Sequence, residues 1–419
     1  MLINNLLKRA PKHNYFYPLQ IARKAYSKPM LPSPTAQNFA HYLLMAAIFP
    51  GPITAPAQPT VPTEFRLLVA GQALVKYDLR TELPNQLASI RALVQSGAPH
   101  AAFTDLETTI QGSFGGGNTR NTEFFHATKP AVIDSLKDFG FNLFATGNNH
   151  AYDLGTPGIL STLEALDQRS LVHAGSGRNL GEASAPTFLI TPVGRVALVA
   201  FASGKIRTGG AAQAMRPGVN EVRLDAEKRL IEEDVLRVHS AIRLAREYAP
   251  YVIVYQHDHY LEEDRGLTPE WKKIFARSCL DAGGSVFVSH GVPQLHGIEV
   301  YKGRPIFYGL GNFIFHTITA PGYYKPEVWQ SVLADLVFNE GQLTALKIRP
   351  LIINEMGESG PRFNATRGTP KAATSTEARR ILTEFASLSK DHGTIFQFID
   401  DHALVDLRLK PTQSNRIAP

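Results

Sequence analysis

Thr146-Gly147-Asn148-Asn149-His150, followed by Ala151-Tyr152-Asp153-Leu154-Gly155, is the stretch on which the fold turns. Before it, Gly140-Phe141-Asn142-Leu143-Phe144-Ala145 is short, apolar and opened by glycine, the pattern of a buried strand. After it, Thr156-Pro157 fits an N-cap and a first helical proline, and Leu160, Leu163 and Leu166 follow at helical spacing. The unit therefore reads as strand, loop and helix. It presents two carboxamides and an imidazole at the C-terminal end of a strand, where open α/β sheets place ligands. An amide oxygen beside an imidazole suits zinc, manganese or a hydrogen-bonded phosphate. A polar turn whose asparagines bond their own backbone fits the same five residues.

Outward from this unit the same alternation continues. Residues 65–69 form a strand that runs into Gly71-Gln72, and a helix follows over about 84–95. Ala101-Ala102-Phe103 is a strand delivering Asp105-Leu106-Glu107-Thr108, and residues 130–139 form the helix before the central strand. Gly112-Ser113-Phe114-Gly115-Gly116-Gly117-Asn118 lacks the lysine and following helix of a phosphate-binding P-loop and reads as a mobile rim. Residues 187–190 and 195–201 suggest a hairpin, and 225–248 a long charged helix. In that helix Leu230, Leu236, Ile242 and Leu244 are the expected buried positions, with Glu232-Glu233-Asp234, Arg243 and Arg246 on a solvated face. A strand over 250–255 ends at Gln256-His257-Asp258-His259, and a helix capped by Thr268-Pro269-Glu270 follows. A further strand ends at Ser289-His290-Gly291, and hairpins are expected over 297–308 and 332–348. A helix near 376–388 and a short tail close the chain. This is an α/β domain with mixed sheets.

The chain has 419 residues and a formal net charge of +6. Residues 1–63 hold Lys8, Arg9, Lys12, Arg23, Lys24 and Lys28 and no acid; the remainder carries 37 basic and 37 acidic residues. A neutral body without an interleaved basic-aromatic patch argues against nucleic acid as a partner. Residues 39–49 are eleven mostly apolar residues, too few to span a bilayer, and match the core of a signal peptide before Pro50-Gly51-Pro52 and Ala55-Pro56-Ala57. Export to the periplasm or envelope is the expectation, with no stable transmembrane span in the mature chain; a cytoplasmic protein with a disordered leader is the alternative. Met30 is an alternative start. Residues 1–63 are read as leader and linker, 64–355 as the principal domain, and 356–419 as a helical extension packed on it. Cys279, the single cysteine, is read as a packed core thiol.

Gln72, Asp105, Glu107, Asn149, His150, His257, His259 and His290 gather at strand ends, which share one edge in an open α/β sheet. Oxygen and imidazole donors brought together in this way suit one or two divalent cations. His257 and His259 are read as projecting to opposite faces of a strand, so both cannot be ligands unless the strand ends between them; His257 is the expected ligand. His126, near Lys129, is read as lying in a solvated loop, and His173 and His316 as structural hydrogen-bonders.

The segments Asp105-Leu106-Glu107-Thr108, Gly147 through Gly155, the strand-end His257, and His290-Gly291 with the run from Ile298 to Phe313 resemble the bacterial capsule synthesis family CapA. That family serves poly-γ-glutamate capsule biosynthesis and is related to calcineurin-like metallophosphoesterases. The resemblance covers about residues 65–350. It implies a four-layer α/β/β/α fold and a dimetal-type pocket. It also implies Glu107, Asn149, His257 and His290 as ligands of divalent metal, manganese or zinc. His150 and Asp105 are implied as catalytic, and Gln72, Asn148, His259, His296 and Asn312 as lying behind the ligands or on the substrate. The implied partner is an envelope polymer, polyglutamate or polysaccharide, or its synthase complex.

Two departures stand out. The family's Gly-Asp is Gly71-Gln72 here, which removes a negative charge from a cation site. A second histidine expected shortly after His290 is replaced by Val292-Pro293, with His296 further on. The readings are a metal-dependent hydrolase or transferase on phosphoester or amide bonds, a non-catalytic envelope protein that binds polymer or partner, or a periplasmic metallohydrolase unconnected with capsule.

Overall fold

The computed structural model describes residues 64–120, 124–260 and 267–408; the basic leader and its signal-like segment lie outside the described residues. Two mixed sheets dominate. The larger runs Phe396–Ile399, His402–Val405, Gln342–Ile353, Gln330–Asn339, Phe65–Val69, Ala101–Asp105, Leu143–Ala145 and Val172–Ala174, with Pro370–Ala372 also paired to Gln342–Ile353. The smaller runs Ile298–Tyr301, Arg304–Phe307, Val286–His290, Tyr251–Asp258, Gly194–Ser203 and Thr187–Thr191. Within each, the strands that lead to the polar strand-end motifs are parallel: Phe65–Val69 through Val172–Ala174 in one, Gly194–Ser203 through Arg304–Phe307 in the other.

The strand period of two decides the layering. Leu67, Val69 and Phe103 of the larger sheet meet Leu198, Ile253, Tyr255 and Val288 of the smaller one in a shared core. Phe65 stacks on Tyr251 at 4.2 Å between ring centroids, and Phe103 meets Tyr255 at 5.2 Å. Full burial of one such phenylalanine contributes about 1.5–3 kcal/mol. The alternate residues face helices. Leu68, Ala102 and Phe144 pack on Leu87–Gln95 and Ala131–Phe139, while Val199, Val252 and Phe287 pack on Glu232–Tyr248 and Glu270–Asp281. Helix, sheet, sheet and helix make the four layers.

Four expectations change. The helix after the central motif runs Gly155–Asp167 with Leu154 at its N-cap, so Thr156 and Pro157 lie inside the first turn. The charged helix begins at Glu232, not near 225. Asp225 accepts from the backbone N–H groups of Glu227 and Arg229 and pairs with the Arg229 guanidinium, closing a tight loop where helix was expected. Its acidic first turn is not wholly solvated: Asp234 is buried, accepting from Arg223 and from Arg237 at 2.8 Å. Leu236 is 53% exposed, and Val238, Ala241, Ile242 and Ala245 form the buried stripe.

The C-terminal segment is more than helical. The helix Ser375–Leu388, opened by a capping box between Thr374 and Glu377, sends Ile381, Leu382 and Phe385 into the core between the sheets. Three strands of the same segment, Pro370–Ala372, Phe396–Ile399 and His402–Val405, extend the larger sheet. Cys279 is fully buried against the smaller sheet, and burial pushes its thiol pKa up. No helix among the described residues is long and apolar enough to cross a membrane.

Candidate metal centre

The parallel strands of both sheets end at one edge. Ala101–Asp105 brings Asp105, with Glu107 two residues on; Leu143–Ala145 leads to Asn148, Asn149 and His150. From the other sheet come His257, on Tyr251–Asp258, and His290, the last residue of Val286–His290, in direct register with each other. Ile253 and Tyr255 face the inter-sheet core, so His257 continues that face into the pocket; Val286, Val288 and His290 do the same. The strand alternation that builds the core thus aims the imidazoles.

Asp105 lies behind His257. Its Oδ2 is 3.0 Å from His257 Nδ1, and its Oδ1 accepts from Asn148 Nδ2 at 3.0 Å. Asn148 also donates to the Leu106 carbonyl and accepts from His150 N–H, so it ties the two strand ends together. In the tautomer with its ring proton on Nδ1, His257 donates to Asp105. His257 Nε2 is then a lone pair facing Asn149 Oδ1 at 2.9 Å and Glu107 Oε1 at 3.6 Å. Three acceptors facing one another repel unless a cation or an added proton lies among them.

Glu107, His257 and His259 bring ligand atoms within 4.8 Å of one another. Glu107 Oε2 and both ring nitrogens of His259 are buried without a protein partner. Burial, and next the charge of Asp105, raises the Glu107 pKa well above the carboxylate range. A divalent cation would neutralise what a proton otherwise must. The residues present fit such an ion. His259 corrects the opposite-face reading: positions two apart on a strand share a face, the strand ends at Asp258, and the His257 and His259 rings lie 5.0 Å apart. His290 stands outside this group.

His150 lies at the rim of the same half. Its Nδ1 is 2.9 Å from Asp153 Oδ2 and its Nε2 is 3.9 Å from Glu107 Oε1. Burial, then the Arg120 charge, lowers its pKa well below the usual histidine value. Arg120 binds Asp153 and donates to the Asn149 carbonyl, while Asp153 also accepts from His126 N–H at 2.8 Å. His126 is therefore no solvated loop residue. It is buried, with its ring 4.4 Å from that of His150, and burial followed by the His150 charge takes its pKa down to about 2. Asp153 and Arg120 were not singled out from sequence, and His126 reads there only as a loop residue. Asp153 alone had a readable signal, its position three residues after His150.

The other half is different. Gln72 donates from Nε2 to Asn312 Oδ1 and accepts from Gly291 N–H, both at 3.0 Å, so its amide bridges the strands Gln72–Leu74 and Asn312–Phe315 to the smaller sheet. The approach is close: Gly291 has φ +128°, and a Cβ there would sit 2.0 Å from the Asp258 carbonyl. His290 has both ring nitrogens buried without partners, as has His296 Nε2. They line a cavity of about 20 Å³, near the size of one water, with Lys272, Asp258 and Tyr308. Lys272 pairs with Asp258 at 3.2 Å. Both histidine pKa values fall to about 3, chiefly through burial. His173 and His316 are hydrogen-bonded away from the pocket, to Asp167 and to the Lys76 N–H.

Comparison with known proteins follows the same residues. The family model for bacterial capsule synthesis protein PGA_cap matches residues 66–317. The uncharacterized protein y4sH of Sinorhizobium fredii is 27% identical over an alignment of 450 positions, covering 85% of this chain and 96% of its own. Capsule biosynthesis protein CapA of Bacillus anthracis is 25% identical, covering 68% of this chain and 62% of its own. PGA biosynthesis protein CapA of Bacillus subtilis is 31% identical over 45% of this chain and 46% of its own. The matched segment spans more than half of the sequence and takes in every strand end described above, and the chain belongs to the bacterial capsule synthesis protein family PGA_cap.

Proposed function

We propose that this chain is a metal-dependent hydrolase or transferase that works on the assembly or attachment of an envelope polymer. The observation that carries the reading is the meeting of Glu107, His257 and His259 within 4.8 Å, with Glu107 Oε2 and both His259 nitrogens sealed from solvent and without a protein partner. Family membership supports the polymer context, and the relatives named for capsule and PGA biosynthesis point to polyglutamate. The signal-like residues 39–57 support a place in the cell envelope.

Glu107, His257 and His259 would hold a manganese or zinc ion, with Asn149 Oδ1 beside them. Such an ion supplies Lewis acidity toward a phosphoryl or carbonyl oxygen. Asp105 orients His257 through Nδ1, as carboxylates commonly do for ligating histidines. It thereby acts through His257 and not on the substrate. His150 keeps its Nδ1 proton on Asp153 and presents Nε2 to the pocket. Held neutral by burial, it accepts a proton at Nε2, which suits a general base more than a general acid.

The test uses full-length protein stripped with chelator and reloaded with Mn²⁺ or Zn²⁺. Chromogenic phosphomonoester, phosphodiester and γ-glutamyl anilide substrates are then assayed. Turnover that needs the metal and is lost in His150→Gln supports the reading; turnover indifferent to chelator contradicts it. The tied amide of Gln72 favours a second reading, a metal-loaded protein that binds polymer without cleaving it. Tight polyglutamate binding with no turnover on any substrate would select that one.

A further inference from the structure

We infer that the pocket holds a single divalent cation, on Glu107, His257 and His259, and that the half built around His290 and His296 excludes a second. The inference rests on the reading that the site binds metal, and it comes from counting free anionic donors. A divalent cation leaves water only where negative oxygen or thiolate donors offset its dehydration, and a second cation nearby adds repulsion that bridging carboxylates normally absorb.

Among the described residues of the pocket, Glu107 is the acid with an oxygen unclaimed by the protein. Asp105 gives one oxygen to Asn148 and one to His257. Asp153 gives one to Arg120 and the other to His126 and His150. Asp258 pairs with Lys272 through Oδ2 and accepts from Tyr260 N–H through Oδ1. Gln72 is neutral and has both ends of its amide occupied.

What remains in the second half is two imidazoles, His290 and His296, lining the same small cavity as the paired Lys272 and Asp258 side chains. Among the described residues, a cation placed there meets no free carboxylate and faces a Lys272–Asp258 ion pair already closed on itself. The Glu107 half offers the reverse: one carboxylate, two imidazoles and a carboxamide oxygen.

Metal stoichiometry decides it. Tag-free full-length protein, reloaded with excess Mn²⁺ or Zn²⁺ and desalted, is measured by plasma mass spectrometry and by native mass spectrometry. One ion per chain is expected, falling at least tenfold in His259→Ala and retained in the His290→Ala, His296→Ala double variant. Glu107→Gln, which preserves shape, serves if His259→Ala does not fold. Two ions per chain would overturn the inference while leaving the proposed function standing. So would one ion that survives in His259→Ala and disappears with His290. No ion in the parent would overturn the proposed function itself, and this inference with it.

Discussion

Both halves of the pocket bury imidazole nitrogens with nothing to bond, but the first adds a free carboxylate oxygen, Glu107 Oε2, where the second has Gln72 with both ends of its amide engaged. Both halves are made the same way, from the C-terminal ends of parallel strands whose preceding residues pack the inter-sheet core. The difference is one of charge. Glu107 makes the first half hungry for a cation, while in the second, among the described residues, Asp258 is already paired with Lys272 and no carboxylate is left free. The lesson is that shared backbone geometry does not make two equivalent metal positions, since side-chain partners decide which donors remain available.

The largest effect is expected on the first half. Glu107→Gln or His259→Ala should weaken metal affinity at least 100-fold, measured by competition with a fluorescent chelator. Affinity within about threefold of the parent would mean the acceptors meet for another reason. Next comes His150→Gln. It should lower turnover about 10²–10³-fold while the metal stays bound, separating proton transfer from ion binding. If metal and turnover fall together, His150 supports the ligands instead.

Gln72→Ala sharpens the comparison from the other side. It strips the Gly291 N–H and Asn312 of their partner in a buried place, at a cost of about 2–3 kcal/mol in chemical denaturation. Metal content should not change. A loss of metal without a loss of stability would make Gln72 a ligand and blur the two halves.

The smallest effect is a pH slope. Burial first, and the Lys272 charge second, hold the His296 pKa to about 3 against 6.5 in an unfolded chain. The folded value is the lower one, so the contribution of this histidine to stability is complete above pH 6.5 and is lost as the pH falls toward 3. The slope is about 1 kcal/mol per pH unit per histidine. His296→Gln should flatten the acid side of a stability profile by about that amount. An unchanged slope would mean that the second half tolerates a proton, and the argument that it repels cations would weaken.

Much of this pocket was legible before any coordinates, because strand-ending polar residues advertise themselves. Asp105, Glu107, Asn149, His150, His257 and His290 each follow a short apolar run, and the fold brings those run ends to one edge. The residues alone give an α/β domain with mixed sheets; the family resemblance implies the four layers. His126 and Arg120 were not legible: they reach His150 and Asp153 from a loop with no periodicity, and only the tertiary fold makes them neighbours. His259 was misjudged through strand parity, an error of geometry and not of information. The late strands Phe396–Ile399 and His402–Val405 were missed because they are short and half-exposed, with pairing supplied by Gln342–Ile353. Nor does sequence reveal which carboxylates are already spent on hydrogen bonds, and that accounting separates the two halves.

The most direct test is anomalous X-ray diffraction from crystals soaked in Mn²⁺ or Zn²⁺, with data collected on both sides of the metal edge. The account predicts one anomalous peak, within coordination distance of Glu107, His257 and His259, and none between His290 and His296. A peak at His290 and His296, or no peak near Glu107, would contradict it.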